Sequence, residues 1–168
     1  TGSTLGRNCT IIKNVITSIA HTGILSSNLE NLLYQARTFG FSLMTLDIRQ
    51  HSDVHADAIR EILNLSALNI DYLELTEEER CNTLISIIQS GRKVLDKDLT
   101  KYSGMTEELI HTFHAISAEL LIDPKAIQSY IVSMTHSESD LLEVFYLAFE
   151  TGLLTFNNGD LSLSLDVV

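Results

Sequence analysis

Arg49 sits in a group of residues able to recognise an anion, with Asp47 two positions before it and Gln50 and His51 directly after. The preceding run FSLMTLDI (41–48) alternates, with Phe41, Leu43 and Thr45 on one side and Met44, Leu46 and Ile48 on the other. Both sides are largely apolar, which predicts a strand covered on both faces. An arginine following such a strand emerges at its carboxyl end, the edge where α/β sheets and barrels bind ligands. Its guanidinium suits bidentate contact with phosphate or carboxylate. The competing reading is a structural salt bridge to Asp47 or Asp53, and spacing alone does not separate the two.

Other chemistry-bearing groups are weaker. His51 and His55 are four apart, with Asp53 and Asp57 nearby, so they could share a helix face around a metal. Ser52, however, stands where the zinc-protease pattern needs Glu, and a polar helix start accounts for the same residues. His111 and His114 flank an apolar stripe. The SESD stretch (137–140) offers amides at a helix start that could hold an anion, although capping alone explains it. No G-x-S-x-G elbow and no glycine-rich phosphate loop occurs.

These residues need elements to hold them. Ile12, Val15, Ile16 and Ile19 mark a helix over 10–24, and Ser27 with Glu30 forms a capping box for a second that stops at Gly40. Ser52 is the expected cap of DVHADAIREILNL. Thr76 and Glu79 box the start of a helix ending at Gly91, while the remainder of the TEEER cluster (76–80) reads as a solvated face. A polar connection over 92–104 leads to a helix with Leu109, Phe113, Ile116 and Leu120 on one stripe, broken at Asp123-Pro124. IQSYIVSM (127–134) predicts a second strand, Ser137 or Ser139 a cap, and 140–151 an apolar helix closed by Gly152. NNGD (157–160) signals a turn, and LSLSLDVV a third strand. Strands separated by helices point to a helix-rich α/β fold with a parallel sheet.

Composition bounds the partners. The chain has 168 residues, 45% of them apolar, and a net charge of −11. One domain with a real core fits that length. The acidic balance argues against nucleic acid and against an anionic membrane surface. Cys9 and Cys81 form no C-x-x-C pair, and no secretory signal precedes them, so reduced thiols in a cytoplasm are expected.

ARTFGFSLMTLDIRQHSDVHADAI (36–59) resembles the phosphoenolpyruvate carboxylase segment R-x-F-G-F-x-L-x-x-L-D-I-R-Q-E-S. YIVSMTHSESDLLEV (130–144) is similar to that family's Y-I-I-S-M-x-x-S-P-S-D-V-L-x-V, in the same order and at about the same spacing. ILSSNLENLLYQARTFG resembles the approach to the first block, and LSLDVV the strand entering the family's P-L-F-E-T motif. The resemblance implies a fragment of a (β/α)8-type barrel, 1–40 as helical lead-in and 41–168 as about three parallel strands with surrounding helices. It implies a middle piece of a longer, typically homotetrameric cytoplasmic enzyme, with Val168 falling just short of the next motif.

The implied reaction adds bicarbonate to phosphoenolpyruvate, giving oxaloacetate and phosphate with Mg²⁺ or Mn²⁺. Bicarbonate attacks phosphorus, and the enolate that leaves is carboxylated. Arg49 matches the family's substrate-site arginine; Gln50 and Asp47 match the motif too, with orienting Arg49 the favoured role for both, direct substrate binding the second reading for Gln50, and Asp47 in support. The catalytic histidine, metal-binding acids and glycine-rich arginine loop of the family are absent from this sequence, so the piece alone is expected to be inactive. Departures are His51 for the usual Glu, Val54 for a frequent Arg, Glu138 for Pro, and Glu143 for a small residue. The alternative is a non-catalytic helical interaction or regulatory domain on the same scaffold.

Overall fold

In the computed structural model, the described residues are helical positions scattered between 10 and 38, then 45–157 and 160–168. The chain divides into two units, Thr1–Thr45 and Leu46–Val168. In the first, the described positions up to 38 are all helical, as the periodicity predicts, and Thr45 is in neither helix nor strand; Ser27, Glu30, Gly40, Phe41, Leu43 and Met44 lie outside the described residues.

The second unit begins with β1 (Leu46–His51), which leads without a gap into α1 (Ser52–Leu65). The strand therefore does not stop before Arg49, as the alternation of 41–48 suggests, but carries Arg49, Gln50 and His51 within it. The polar residues there tolerate a strand because each pairs backbone with β2 (Ile127–Ser133) in parallel register: Arg49 with Ile131, Gln50 with Val132, His51 with Ser133. The register slips once, between Leu46 and Asp47. The cap of α1 is also one residue earlier than expected: His51 Nδ1, not Ser52, accepts the Asp53 N–H at 3.2 Å.

Between the strands lie α2 (Glu77–Ser90) and α3 (Gly104–Ile122), joined through a 3-10 turn at Leu99–Lys101. The Thr76–Glu79 capping box forms as the sequence predicts, and Gly91 takes the left-handed conformation (φ 68°) that an L side chain disfavours. The stripe Leu109, Phe113, Ile116 and Leu120 is buried. α4 (Glu138–Thr151) follows β2, capped at Ser137 and closed by left-handed Gly152.

The end of the chain departs from expectation. LSLSLDVV is not one strand. β3 (Leu154–Asn157) pairs antiparallel with β4 (Asp160–Leu163), and only β5 (Asp166–Val167) joins the main sheet, parallel to β2. Alternation reads smoothly across Ser164-Leu165, yet the buried Leu165 sits between two strands belonging to different sheets.

The main sheet is thus three parallel strands in the order β1-β2-β5. One face, carrying Tyr130 and Val132, is buried; Tyr130 meets His55 of α1 and Phe113 of α3. On the other face, register aligns Asp47 with Ser129 and Asp166, and Arg49 with Ile131. None of these five is buried. Within 46–168, then, the sheet is not covered on both sides: helices close one face and leave the other open.

Candidate functional site

All three strands of the sheet run the same way, so their carboxyl ends share one edge. Arg49 reaches the open face near this edge because β1 alternates: Ile48 and Gln50 turn toward the helices, Asp47 and Arg49 away. Arg49 is exposed and, among the described residues, makes no ion pair or hydrogen bond through its side chain. Neither salt bridge weighed from spacing forms. Asp53 instead lies 3.4 Å from His51 Nδ1. A neutral imidazole there accepts the Asp53 N–H, whereas a protonated one donates to the Asp53 carboxylate.

Gln50 folds back on its own backbone, its side-chain oxygen accepting the His51 N–H at 2.8 Å. It lies on the opposite face from Arg49, so its effect reaches Arg49 through the strand rather than through side-chain contact. Asp47 shares the Arg49 face two residues away.

The loops beyond the carboxyl edge are tied together. Ser52, 3% exposed, donates through Oγ to the Met134 carbonyl at 2.8 Å. Met134 has φ 61°, a left-handed conformation uncommon for a side-chain-bearing residue. The helix start that could have held an anion is filled by the protein itself. Asp140 accepts from the His136 and Ser137 amides, and Glu77 accepts from both the amide and the hydroxyl of Ser139 at 2.8 Å. Burial raises the Glu77 carboxyl, but the Ser139 bonds outweigh it and hold the group below the usual range. The TEEER cluster is therefore more than a solvated face: Glu77 clamps α4, and Arg80 bonds the Leu73 carbonyl at 2.7 Å while lying over the Tyr72 ring.

The two histidines four apart do not converge. His55 is fully buried, its Nε2 2.8 Å from Tyr130 Oη, and burial lowers its pKa to about 4. His111 and His114 lie on the exposed side of α3. Among the described residues no group of three or more His, Cys, Asp or Glu side chains is placed to hold a metal.

Glu143, marked in the sequence as a departure from a small residue, is a fully buried acid, which the sequence reading did not foresee. Tyr72 donates to its Oε1 at 3.0 Å, and its Oε2 has no hydrogen-bond partner. An acidic residue inside the apolar run LLEVFYLAF was the available signal. A separate cleft of about 370 Å³, lined by Leu68, Ile87, Arg92 and Lys93 among others, lies beyond the far ends of α1 and α2, away from Arg49.

A family profile described as phosphoenolpyruvate carboxylase matches residues 3–168. The chain is similar to the phosphoenolpyruvate carboxylase of Rhodothermus marinus, 44% identical over 125 residues, which cover 74% of this chain and 13% of that protein. It is 39% identical over 145 residues to that of Prochlorococcus marinus strain MIT 9301, covering 86% and 14%. With the enzyme of Thermosynechococcus vestitus the identity is 38% over 138 residues, 81% of this chain and 14% of the relative. The chain thus spans about 13–14% of the length of these relatives.

Proposed function

The chain belongs to the phosphoenolpyruvate carboxylase family, and from that membership we propose that it forms one arc of a (β/α)8-type barrel contributing Arg49 to a phosphoenolpyruvate site. The observation that carries the proposal is an exposed arginine, without a side-chain partner among the described residues, on the open face near the carboxyl edge of a parallel sheet. Three features support the barrel: parallel strands, helices over one face, and outer edges of β1 and β5 unpaired among the described residues. A parallel sheet is ordinarily covered on both faces, so an open one calls for further chain.

In the full-length enzyme, bicarbonate adds to phosphoenolpyruvate to give oxaloacetate and phosphate. Arg49 holds the phosphate by charge-assisted hydrogen bonds and neutralises it while the phosphoryl group transfers. Asp47, on the same face, bears on the electrostatics of the guanidinium. Gln50 fixes the backbone at His51 and so the end of the strand.

Mg²⁺ or Mn²⁺ would supply Lewis-acid charge stabilisation. The described residues do not fit such an ion: the open-face carboxylates Asp47 and Asp166 lie on strands separated by β2, with no third ligand. No step of the Arg49 role runs through the metal. The remaining reading is of a cytoplasmic homotetramer in which the rest of the polypeptide supplies ligands and acid–base groups; among the described residues no helix is long and apolar enough to cross a membrane.

The test is Arg49→Ala in the full-length polypeptide, with oxaloacetate followed by a coupled assay. Turnover should collapse while circular dichroism stays unchanged. Normal turnover would remove Arg49 from the site. Residues 1–168 alone should form no oxaloacetate, and activity in that preparation would overturn the view of the chain as an incomplete arc.

A further inference from the structure

His51 and Ser133 are the last paired residues of β1 and β2, and Ser52 and Met134 come directly after them. The loops leaving the two strands start there, beside the edge that presents Arg49. They are joined by one side-chain bond, Ser52 Oγ to the Met134 carbonyl at 2.8 Å. Ser52 is almost wholly buried, at 3% exposed, whereas Met134 is 58% exposed.

Two details give this bond a purpose beyond packing. A serine at the start of a helix ordinarily spends its hydroxyl on capping, but His51 supplies the cap here and leaves Ser52 free to reach across. Met134 meanwhile adopts φ 61° without being glycine. That conformation brings Cβ against the backbone and persists only where surrounding contacts hold it. The Ser52 bond orients the Met134 peptide and so opposes its relaxation to an ordinary extended conformation. The strand ladder already fixes the backbone of Arg49. What remains adjustable is the turn that follows Ser133 at the end of the ladder.

The geometry points to Ser52 as a positioning residue for phosphoenolpyruvate binding, acting by holding the left-handed Met134 turn at the carboxyl edge of the sheet, three residues beyond Ile131, the register partner of Arg49. This rests on the reading of Arg49 as a substrate contact. A turn set in advance leaves less to order when substrate arrives, so releasing it should weaken binding more than it slows chemistry.

The experiment uses the full-length polypeptide and measures KM for phosphoenolpyruvate, kcat and thermal stability. Ser52→Ala should raise KM roughly 3- to 10-fold, the scale of one lost hydrogen bond, with a smaller change in kcat. Ser52→Thr, which keeps the hydroxyl, should recover most of the loss. Because Ser52 is buried, the exposed Met134 supplies an independent arm. Met134→Val, whose branched side chain resists positive φ, should raise KM; Met134→Gly, to which that conformation costs little, should not. An unchanged KM in Ser52→Ala and Met134→Val overturns the proposal, as does an equal rise in Met134→Val and Met134→Gly. Arg49→Ala measured alongside separates the failures. Normal turnover in Arg49→Ala defeats the site itself, whereas collapsed turnover there with unchanged KM in the other variants defeats only the clamp.

Discussion

The Tyr72 hydroxyl donates to Glu143 Oε1 at 3.0 Å inside the core, joining the segment before α2 to the middle of α4. Both residues are fully buried. Burial is the largest cause pushing the Glu143 carboxyl up to about 8, with Asp140 and Glu77 adding to it and the Tyr72 bond and Arg80 opposing it. The acid is thus protonated at neutral pH. Its second oxygen has no hydrogen-bond partner, so ionisation would place an under-solvated charge between two helices.

The first prediction follows from that proton. The unfolded chain releases it near 4.5, the native chain near 8. Between those values the native state binds more protons, so this group's contribution to stability is full below about 4.5, falls as pH rises, and is lost by about 8. Glu143→Gln keeps the hydrogen-bond acceptor for Tyr72 and removes the titration. Its melting temperature relative to the parent should therefore climb from pH 5 to pH 9. A constant difference across that range would show that Glu143 does not titrate there.

His55 works in the opposite direction. Burial lowers its pKa to about 4 against an ordinary 6.5, so the unfolded chain binds more protons between those values. Stability from this group is present above about 6.5 and is lost as pH falls toward 4. Tyr130→Phe removes the partner of Nε2 and leaves a buried imidazole with neither nitrogen bonded, since Nδ1 has no partner already. The expected cost is about 1–3 kcal/mol by chemical denaturation at pH 7. A loss below about 0.5 kcal/mol would mean that the pair is not a stabilising bond.

Much of this architecture is legible in the sequence for simple reasons. Thr76-x-x-Glu79, Gly91, Gly152 and Asp123-Pro124 act through local backbone chemistry, so their effects appear where they stand. The stripe from Leu109 to Leu120 follows from helical period alone. What escaped depends on partners distant in sequence. Ser52 looks like a cap until Met134, 82 residues away, claims its hydroxyl. Glu77 looks solvated until Ser139 turns toward it. The LSLSLDVV pattern cannot reveal that its two halves pair with different strands. At the candidate site the sequence supplies Arg49 by motif, but the open face and the left-handed Met134 are visible only in three dimensions.

The cap of α1 gives a third prediction. His51 Nδ1 accepts the Asp53 N–H only while unprotonated. His51→Ala should destabilise by about 0.5–2 kcal/mol at pH 8, the range for a lost N-cap, and His51→Asn should recover most of it. Urea denaturation of the three proteins is sufficient. Equal midpoints for the parent and His51→Ala would show that the imidazole is not the cap.

The last prediction separates charge from shape at Arg49. Lysine keeps the positive charge on the open face but offers a single rotating ammonium in place of a planar fork. If the guanidinium only attracts an anion to an edge of a chain carrying −11, Arg49→Lys should bind phosphoenolpyruvate nearly as well as the parent, with a comparable turnover. If it holds the phosphate bidentately during transfer, Arg49→Lys loses a charge-assisted hydrogen bond worth about 1.5–3 kcal/mol, or roughly 10- to 150-fold in kcat/KM. The second outcome is expected, because nothing among the described residues pre-orients the side chain and its geometry must come from the ligand. The assay belongs in the full-length polypeptide at fixed ionic strength, so that screening does not mimic the loss. A kcat/KM within about twofold of the parent would reduce Arg49 to a point charge.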